Sequence, residues 1–283
     1  MYVDAIINTK GGAGKTTYVG TSAAYLAEVC GKRVLMLDGD KQPTLSSMFK
    51  ITERAPFGIS SLVRKGTEDL SIAQDCVSQT VVPGLDVIVS DAGMGELEHW
   101  IMARLDGRML LSMALSQFAD QYDHIVIDTA GTVGPLQEAA IFAADRVISP
   151  LPPTILPTRE FVRGTIGMMN RVGTVIEMMQ RPLPQMAVIP YMADHTSDAK
   201  IVLTALRDPT FGSAYRGDIT VLDHVIPTTV VYREAARTHT PLHKMLRSRA
   251  GKAQDGFFAV MDELYPEVER VSPGASDKSD KEA

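Results

Sequence analysis

Short, β-branched apolar runs alternate along the chain with longer stretches whose apolar positions recur at helical spacing. Residues 3–8 (VDAIIN) read as a buried strand. Residues 16–30 read as a helix, with Ala23, Ala24, Leu26 and Ala27 on one small-residue face. Residues 33–38 (RVLMLD) form the next strand, entered through a stop signal at Gly31. Further strands are predicted at 85–89, 124–128, 146–149, 186–189 and 219–226. Helical patterns fall between them, near 95–121, 134–144, 158–180, 197–207 and 230–237, with a last one at 254–265. Strand, crossover helix, strand, repeated, predicts a mainly parallel, twisted sheet with helices on both faces, a three-layer αβα arrangement. The segment 41–84 breaks this rhythm and is expected to be a helical excursion beside the sheet. No repeat and no interior linker appears. One folded unit is therefore expected over 1–266, with a polar tail at 267–283 whose low-complexity end (VSPGASDKSDKEA) is expected to be disordered.

Composition narrows the class without changing it. Of 283 residues, 45% are hydrophobic and 22% charged, enough to build a sizeable core. No run of about 18 apolar residues occurs, and the long low-charge stretch 147–158 contains four prolines, so no membrane span is expected. The first residues, MYVDAIINTK, lack the basic-then-apolar pattern of a signal peptide, which makes the cytoplasm the expected compartment. Two cysteines, Cys30 and Cys76, supply neither a disulfide framework nor a CxxC metal site. The net charge of −6 argues against a polyanion binder on the total alone and leaves room for a local basic patch.

The strongest chemical signal is Lys10-Gly11-Gly12-Ala13-Gly14-Lys15-Thr16-Thr17, which follows a predicted strand and opens a predicted helix. Glycines there let backbone N–H groups close on phosphate oxygens, and the helix N-terminus adds partial positive charge. Lys15 is placed to reach the β- and γ-phosphates, and the Thr16 hydroxyl to sit on Mg²⁺. The common phosphate loop has a glycine six residues before its lysine. Here that position is Thr9, and a second lysine, Lys10, precedes the paired glycines. Two predicted strands end in acids: Asp38 and Asp40 in LDGDKQ, and Asp128 in HIVIDTAG, where Gly131 is a candidate nucleotide sensor. A lone strand-end aspartate is as readily a cap or turn residue. Three such segments in this order carry more weight.

This combination resembles the ParA/MinD family of P-loop ATPases with a deviant Walker A loop. The resemblance extends over nearly the whole folded chain, through 107–128, 143–150 and 224–242. It implies a P-loop NTPase fold, ATP and Mg²⁺ as ligands, and a nucleotide-sandwich homodimer. Lys10 would act across that interface, Lys15 within its own subunit, and Asp40 on the attacking water. Asp38, Asp40, Asp128 and Thr16 would surround Mg²⁺, partly through water. Pro227 would lie near the adenine. Two departures stand out: Lys41 replaces the family's proline in DxDPQ, and Thr228 replaces the arginine after Pro227. No CxxC bridges a cluster, no tyrosine follows Tyr265, and the end of the chain is acidic rather than a basic amphipathic helix. The apolar stripe Phe257, Phe258, Val260, Met261 and Leu264 is expected to pack in the core. These features point to the ParA branch and away from a membrane partner. A phosphate loop starting at Lys10 argues against an N-terminal operator-reading helix-turn-helix.

Residues 233–252 hold Arg233, Arg237, Lys244, Arg247, Arg249 and Lys252 against Glu234 alone, six minus one, or +5. Such a stretch is either a solvated basic face or a site that neutralises DNA phosphates without reading bases. By resemblance it is DNA-binding. The expected activity is slow, partner-stimulated ATP hydrolysis in plasmid or chromosome partition, with nucleoid association in the ATP state and a ParB-like adaptor. A positioning ATPase for a protein cargo and a conjugation-associated recruitment switch share the same motifs.

Overall fold

The computed structural model describes residues 1–271, apart from Ala13, Ala92, Gly93, Asp194, His195 and His239. Its strands are β1 (Tyr2–Ile6), β2 (Val34–Gly39), β3 (Ile51–Glu53), β4 (Val77–Thr80), β5 (Leu85–Ile88), β6 (His124–Thr129), β7 (Arg146–Leu151), β8 (Gln185–Ala193), β9 (Ile219–Val221) and β10 (Ile226–Pro227). They form one sheet in the order β10-β8-β7-β1-β6-β2-β5-β4-β3, with β9 also paired to β8. Pairing is parallel from β10 and β9 through to β5, and antiparallel only at the β5-β4-β3 edge.

Every residue of β2, β6 and β7 is buried, as expected of inner strands covered on both faces. Side-chain alternation divides the core in two. Val3, Ala5, Leu35, Leu37, Ile125 and Ile127 face one layer, packed by helices Ile59–Lys65, Met94–Ala103, Leu110–Ser116, Pro135–Ala143 and Gly167–Met178. Ile6, Val34, Met36, Val126 and Ile148 face the other, packed by Lys15–Glu28 and Arg247–Leu264. The fold is the expected three-layer α/β arrangement.

Four local departures are seen, two of them with evident physical causes. The excursion contains the short helices Thr44–Met48, Ile59–Lys65 and Leu70–Gln74, but also the strands β3 and β4. The long helix expected at 95–121 is broken near Gly107, where a Cβ would stand 2.2 Å from the Ile101 carbonyl oxygen. The strand expected at 219–226 splits into β9 and β10, because the Asp223 and His224 N–H groups turn to donate to Glu263 at 2.7 and 2.9 Å. The last helix begins at Arg247, which places Arg247, Arg249 and Lys252 on a helix instead of a loop.

The tail boundary also needs correction. Residues 267–271, assigned to the tail by composition, are fastened to the body. Arg270 lies 5.2 Å over the Phe258 ring and donates to the Tyr25 hydroxyl at 2.7 Å, and the Val271 N–H donates to the Val29 carbonyl. Residues 272–283 lie outside the described residues. Four of the five residues of the expected core stripe are in place: Phe257, Val260, Met261 and Leu264 are buried, with the Phe257 ring edge-on to Tyr18 and Tyr25, while Phe258 is only half-buried against the core.

Candidate functional site

Parallel strands bring their carboxyl ends to one edge of the sheet, and the candidate residues gather there. Neighbouring strands β2 and β6 place Asp38 and Asp128 as register partners. The loop after β1 runs straight into the helix Lys15–Glu28, with Gly14 as its N-cap at φ 83°. A cleft of about 310 Å³ is lined by Gly11, Gly12, Gly14, Lys15, Thr16, Thr17, Asp40, Thr129, Gly131 and Met192. Seven of these are sequence-assigned phosphate or metal residues. Ala13 lies outside the described residues.

Close approaches hold the loop in shape. A Cβ on Gly14 would fall 2.1 Å from the Tyr191 ring, and one on Gly131 would fall 2.8 Å from the Cα of Gly11. The turn after β6 therefore lies directly on the phosphate loop. Lys15 is buried and donates to the Lys10 carbonyl at 3.5 Å. Burial holds its ammonium below the ordinary lysine range, opposed by the nearby Asp128 and Asp40 carboxylates.

The stem of Lys10 is clamped. Asn8 Nδ2 donates to the Pro150 carbonyl at 2.7 Å, Asn8 Oδ1 accepts the Lys10 N–H at 2.9 Å, and the Thr9 N–H donates to Thr165. Thr165 belongs to a π-helical turn, Phe161–Ile166, whose Gly164 packs against Thr9. The Lys10 side chain is half-exposed and pairs with Glu160, just before that turn, at 3.1 Å. π-turns recur at functional sites because they bulge a helix locally. Periodicity alone gave no signal for this one.

The carboxylates differ in setting. Asp38 is fully buried, and its Oδ2 accepts both the N–H and the hydroxyl of Ser46, at 2.8 and 2.6 Å. Burial pushes its pKa up, against those two hydrogen bonds. Asp38 thus braces the helix Thr44–Met48 from below the cleft. Asp128 is also fully buried. Burial pushes it up to about 7, opposed by the Thr16 hydroxyl and Lys15. Its Oδ2 has no hydrogen-bond partner, a cost that a cation with its water shell would relieve. Among the described residues no group of three or more His, Cys, Asp and Glu could hold a metal unaided. Mg²⁺ takes one or two protein oxygens and completes its shell with water and phosphate, a demand that the unpartnered Asp128 Oδ2 fits. Asp40 reaches the cleft itself, with Oδ1 accepting the Gln42 N–H at 3.0 Å and its carbonyl accepting from Ser90 at 2.6 Å.

The structure does not bring Pro227 into this cleft. Pro227 lines a second one, of about 630 Å³, with Thr228, Arg247, Arg249 and Lys252. The two clefts are linked by Thr228, whose hydroxyl donates to the carbonyl of Met192 at 2.8 Å. Met192 itself sits at φ 54°, which is uncommon outside glycine. Among the basic residues, Lys244 pairs with Glu28, Arg247 with Asp255 at 2.7 Å, and Arg249 with Glu234 at 2.9 Å. Arg237 and Lys252 are exposed, and Arg233 and Arg237 lie on the helix Val231–Thr238. The local balance is six bases against three acids, less positive than the linear sequence indicates, because Glu28 and Asp255 come from outside the stretch. Sequence reasoning missed Glu160, Ser46, Ser90 and Met192 at the site, since each lies outside the motif segments, and it passed over Thr129, which follows Asp128 directly.

Comparisons with known proteins bear on this arrangement. The family described as AAA domain matches residues 1–183. The chromosome partitioning protein ParA of Caulobacter vibrioides is 31% identical over 198 residues, covering 64% of this chain and 71% of that protein. The putative replication protein A of Rhizobium rhizogenes is 32% identical over 168 residues, 55% of this chain and 41% of that protein. The chain thus spans under half the length of that relative. McdA of Cyanothece, solved in complex with ATP, has the same fold: the TM-score is 0.76 over 96% of this chain and 98% of that chain, at 18% identity.

Proposed function

The chain belongs to the ParA/MinD family of P-loop ATPases within the AAA-domain class, and from that premise we propose that it is a Mg-ATP-dependent ATPase of the ParA type. It dimerises around ATP, binds DNA without sequence preference in that state, and drives plasmid or chromosome partition. The observation that carries this reading is Lys10: a half-exposed lysine on a clamped stem, at the mouth of a cleft that already contains its own buried lysine, Lys15.

Each residue has a task in this reading. The N–H groups of Gly11, Gly12, Ala13, Gly14, Lys15, Thr16 and Thr17 cradle phosphates, and Lys15 leaves the Lys10 carbonyl for phosphate oxygens. Thr16 and Asp128 hold Mg²⁺, partly through water, while Asp38 keeps the surrounding loop in place. Mg²⁺ supplies charge neutralisation on the β- and γ-oxygens. Asp40 orients the attacking water. Lys10 must leave Glu160 and reach the partner subunit's phosphates. A cation delivered across an interface can be worth about 10³–10⁵ in rate, the range seen for arginine fingers. Turnover of the isolated subunit is therefore slow, and a ParB-like adaptor accelerates it by stabilising the competent dimer. Pro227 and Thr228 border the adenine side.

The six basic residues of the stretch 233–252 supply the DNA face, and Arg247, Arg249 and Lys252 among them line the second cleft. The test is binding to random-sequence duplex DNA at a stated salt concentration, in nucleotide-free, ADP and non-hydrolysable ATP states. Binding confined to the ATP-analogue state is expected. Its log K should fall with log salt at a slope of about −3 per subunit if the acid-paired bases stay paired, and about −5 if all six meet phosphate. The three acid pairs favour one second reading, a positioning ATPase with a protein cargo. Hydrolysis with no DNA binding in any state would select it.

A further inference from the structure

The residue after Asp40 is a lysine, Lys41. A proline there would fix its own φ and stiffen the loop that presents Asp40. Lys41 leaves the backbone free, and its side chain does something else: it forms an ion pair with Glu98, on the helix Met94–Ala103. Glu98 is mostly buried, at 23% exposed, against 53% for Lys41. Its second carboxylate oxygen lies against Gly134, where an added Cβ would be 2.8 Å from Oε1. Gly134 ends the turn after β6 and caps the helix Pro135–Ala143. The same turn rests on the phosphate loop through Gly131. Glu98 therefore touches both loops that wall the cleft opposite the phosphate loop. On the other side of Asp40, its carbonyl is already held by the Ser90 hydroxyl.

We propose that Lys41 and Glu98 are a pair of positioning residues for Asp40, joining the loop after β2 to the turn after β6 so that the two walls of the cleft keep one geometry. The inference rests on the reading of Asp40 as the water-orienting carboxylate. A half-exposed ion pair adds little to folding stability. Misplacing a catalytic group by about 1 Å can cost as much as about 10²-fold in rate. The tie should therefore be visible in turnover and nearly silent in melting temperature.

The experiment is a double-mutant cycle on the full chain, reading kcat and KM for ATP with melting temperature as the fold control. Lys41→Met and Glu98→Gln should each lower kcat about 3- to 10-fold, a fraction of the misplacement ceiling, with KM nearly unchanged. The double variant should be no slower than either single one. Lys41→Arg should retain most of the rate, and the exchanged pair Lys41→Glu with Glu98→Lys should recover at least half. Unchanged kcat in the single variants, multiplying losses in the double, or no recovery on exchange would each overturn the tie while leaving Asp40 in its role. Asp40→Ala, run alongside, separates the two claims: full turnover in that variant would remove the reading of Asp40 itself.

Discussion

Gly14 meets the tightest demand among the described glycines of the phosphate loop. Its φ of 83° lies where side chains are strained, and the Tyr191 ring stands where a Cβ would go. At Gly11 an added Cβ meets nothing within 4 Å. Gly14→Ala should therefore cost at least about 1–3 kcal/mol from backbone strain and lose nucleotide binding, while Gly11→Ala melts like the parent. Thermal melts with and without Mg-ADP check this, and equal behaviour of the two variants would contradict it. Glu160 invites a test whose sign matters. It holds Lys10 within its own subunit through a largely exposed pair, of the kind worth about 0.2–1 kcal/mol. Glu160→Gln should release Lys10 and tighten ATP-dependent dimerisation by up to about fivefold, measured by sedimentation across protein concentration. Weaker dimerisation would instead place the working partner of Glu160 across the interface.

At the scale of elements, the carboxyl ends of β2 and β6 store an electrostatic cost. Burial raises both Asp38 and Asp128, the latter to about 7, so the folded, ligand-free chain holds protons that the unfolded chain has released. The contribution of these two carboxylates to the stability of that state should fall as pH rises from about 4 to about 7, because at these sites the unfolded state binds fewer protons, while the buried His124 and His243, lowered by burial, act in the opposite sense near pH 6. Mg-nucleotide should flatten the slope, since a bound cation favours the ionised carboxylates. Denaturant midpoints of the parent and of Asp128→Asn across this range, with and without Mg-ADP, check the sign; a free parent whose slope is no more negative than that of Asp128→Asn would contradict it. The strands themselves were legible from sequence, because β2 and β6 are buried on both faces and carry the unbroken apolar runs 34–37 and 125–127. The antiparallel pair of β3 and β4 was not. Its residues (ITE and VSQT) are half-polar and too short for a period to emerge. Asp4 shows the same limit in the core. It is a lone acid near the start of the sequence, yet it is fully buried, bound by Arg146 at 2.8 and 3.2 Å and by the Tyr265 hydroxyl at 2.7 Å. Partners more than a hundred residues away leave no local pattern.

Taken as a whole, the subunit gathers its candidate groups at one place. One edge of the sheet presents the cleft, the clamped Lys10 and the loop of Asp40 together, and the phosphate loop and strand-end acids that announced it were contiguous in sequence. What sequence could not show were the groups that arrive from elsewhere: Glu160 on Lys10, Glu98 on Lys41, and the acids Glu28 and Asp255 that offset the basic stretch. Thr228 joins the nucleotide cleft to that basic cleft through Met192, so the two proposed activities lie on one connected surface. The central claim is that Lys10 works on the partner's ATP. Sedimentation of the parent and Lys10→Ala chains, with a non-hydrolysable ATP analogue and parallel titration of nucleotide binding, tests it most directly. The account predicts a dimer for the parent and a monomer for Lys10→Ala, both with the analogue bound. A Lys10→Ala chain that dimerises and hydrolyses ATP like its parent would contradict it.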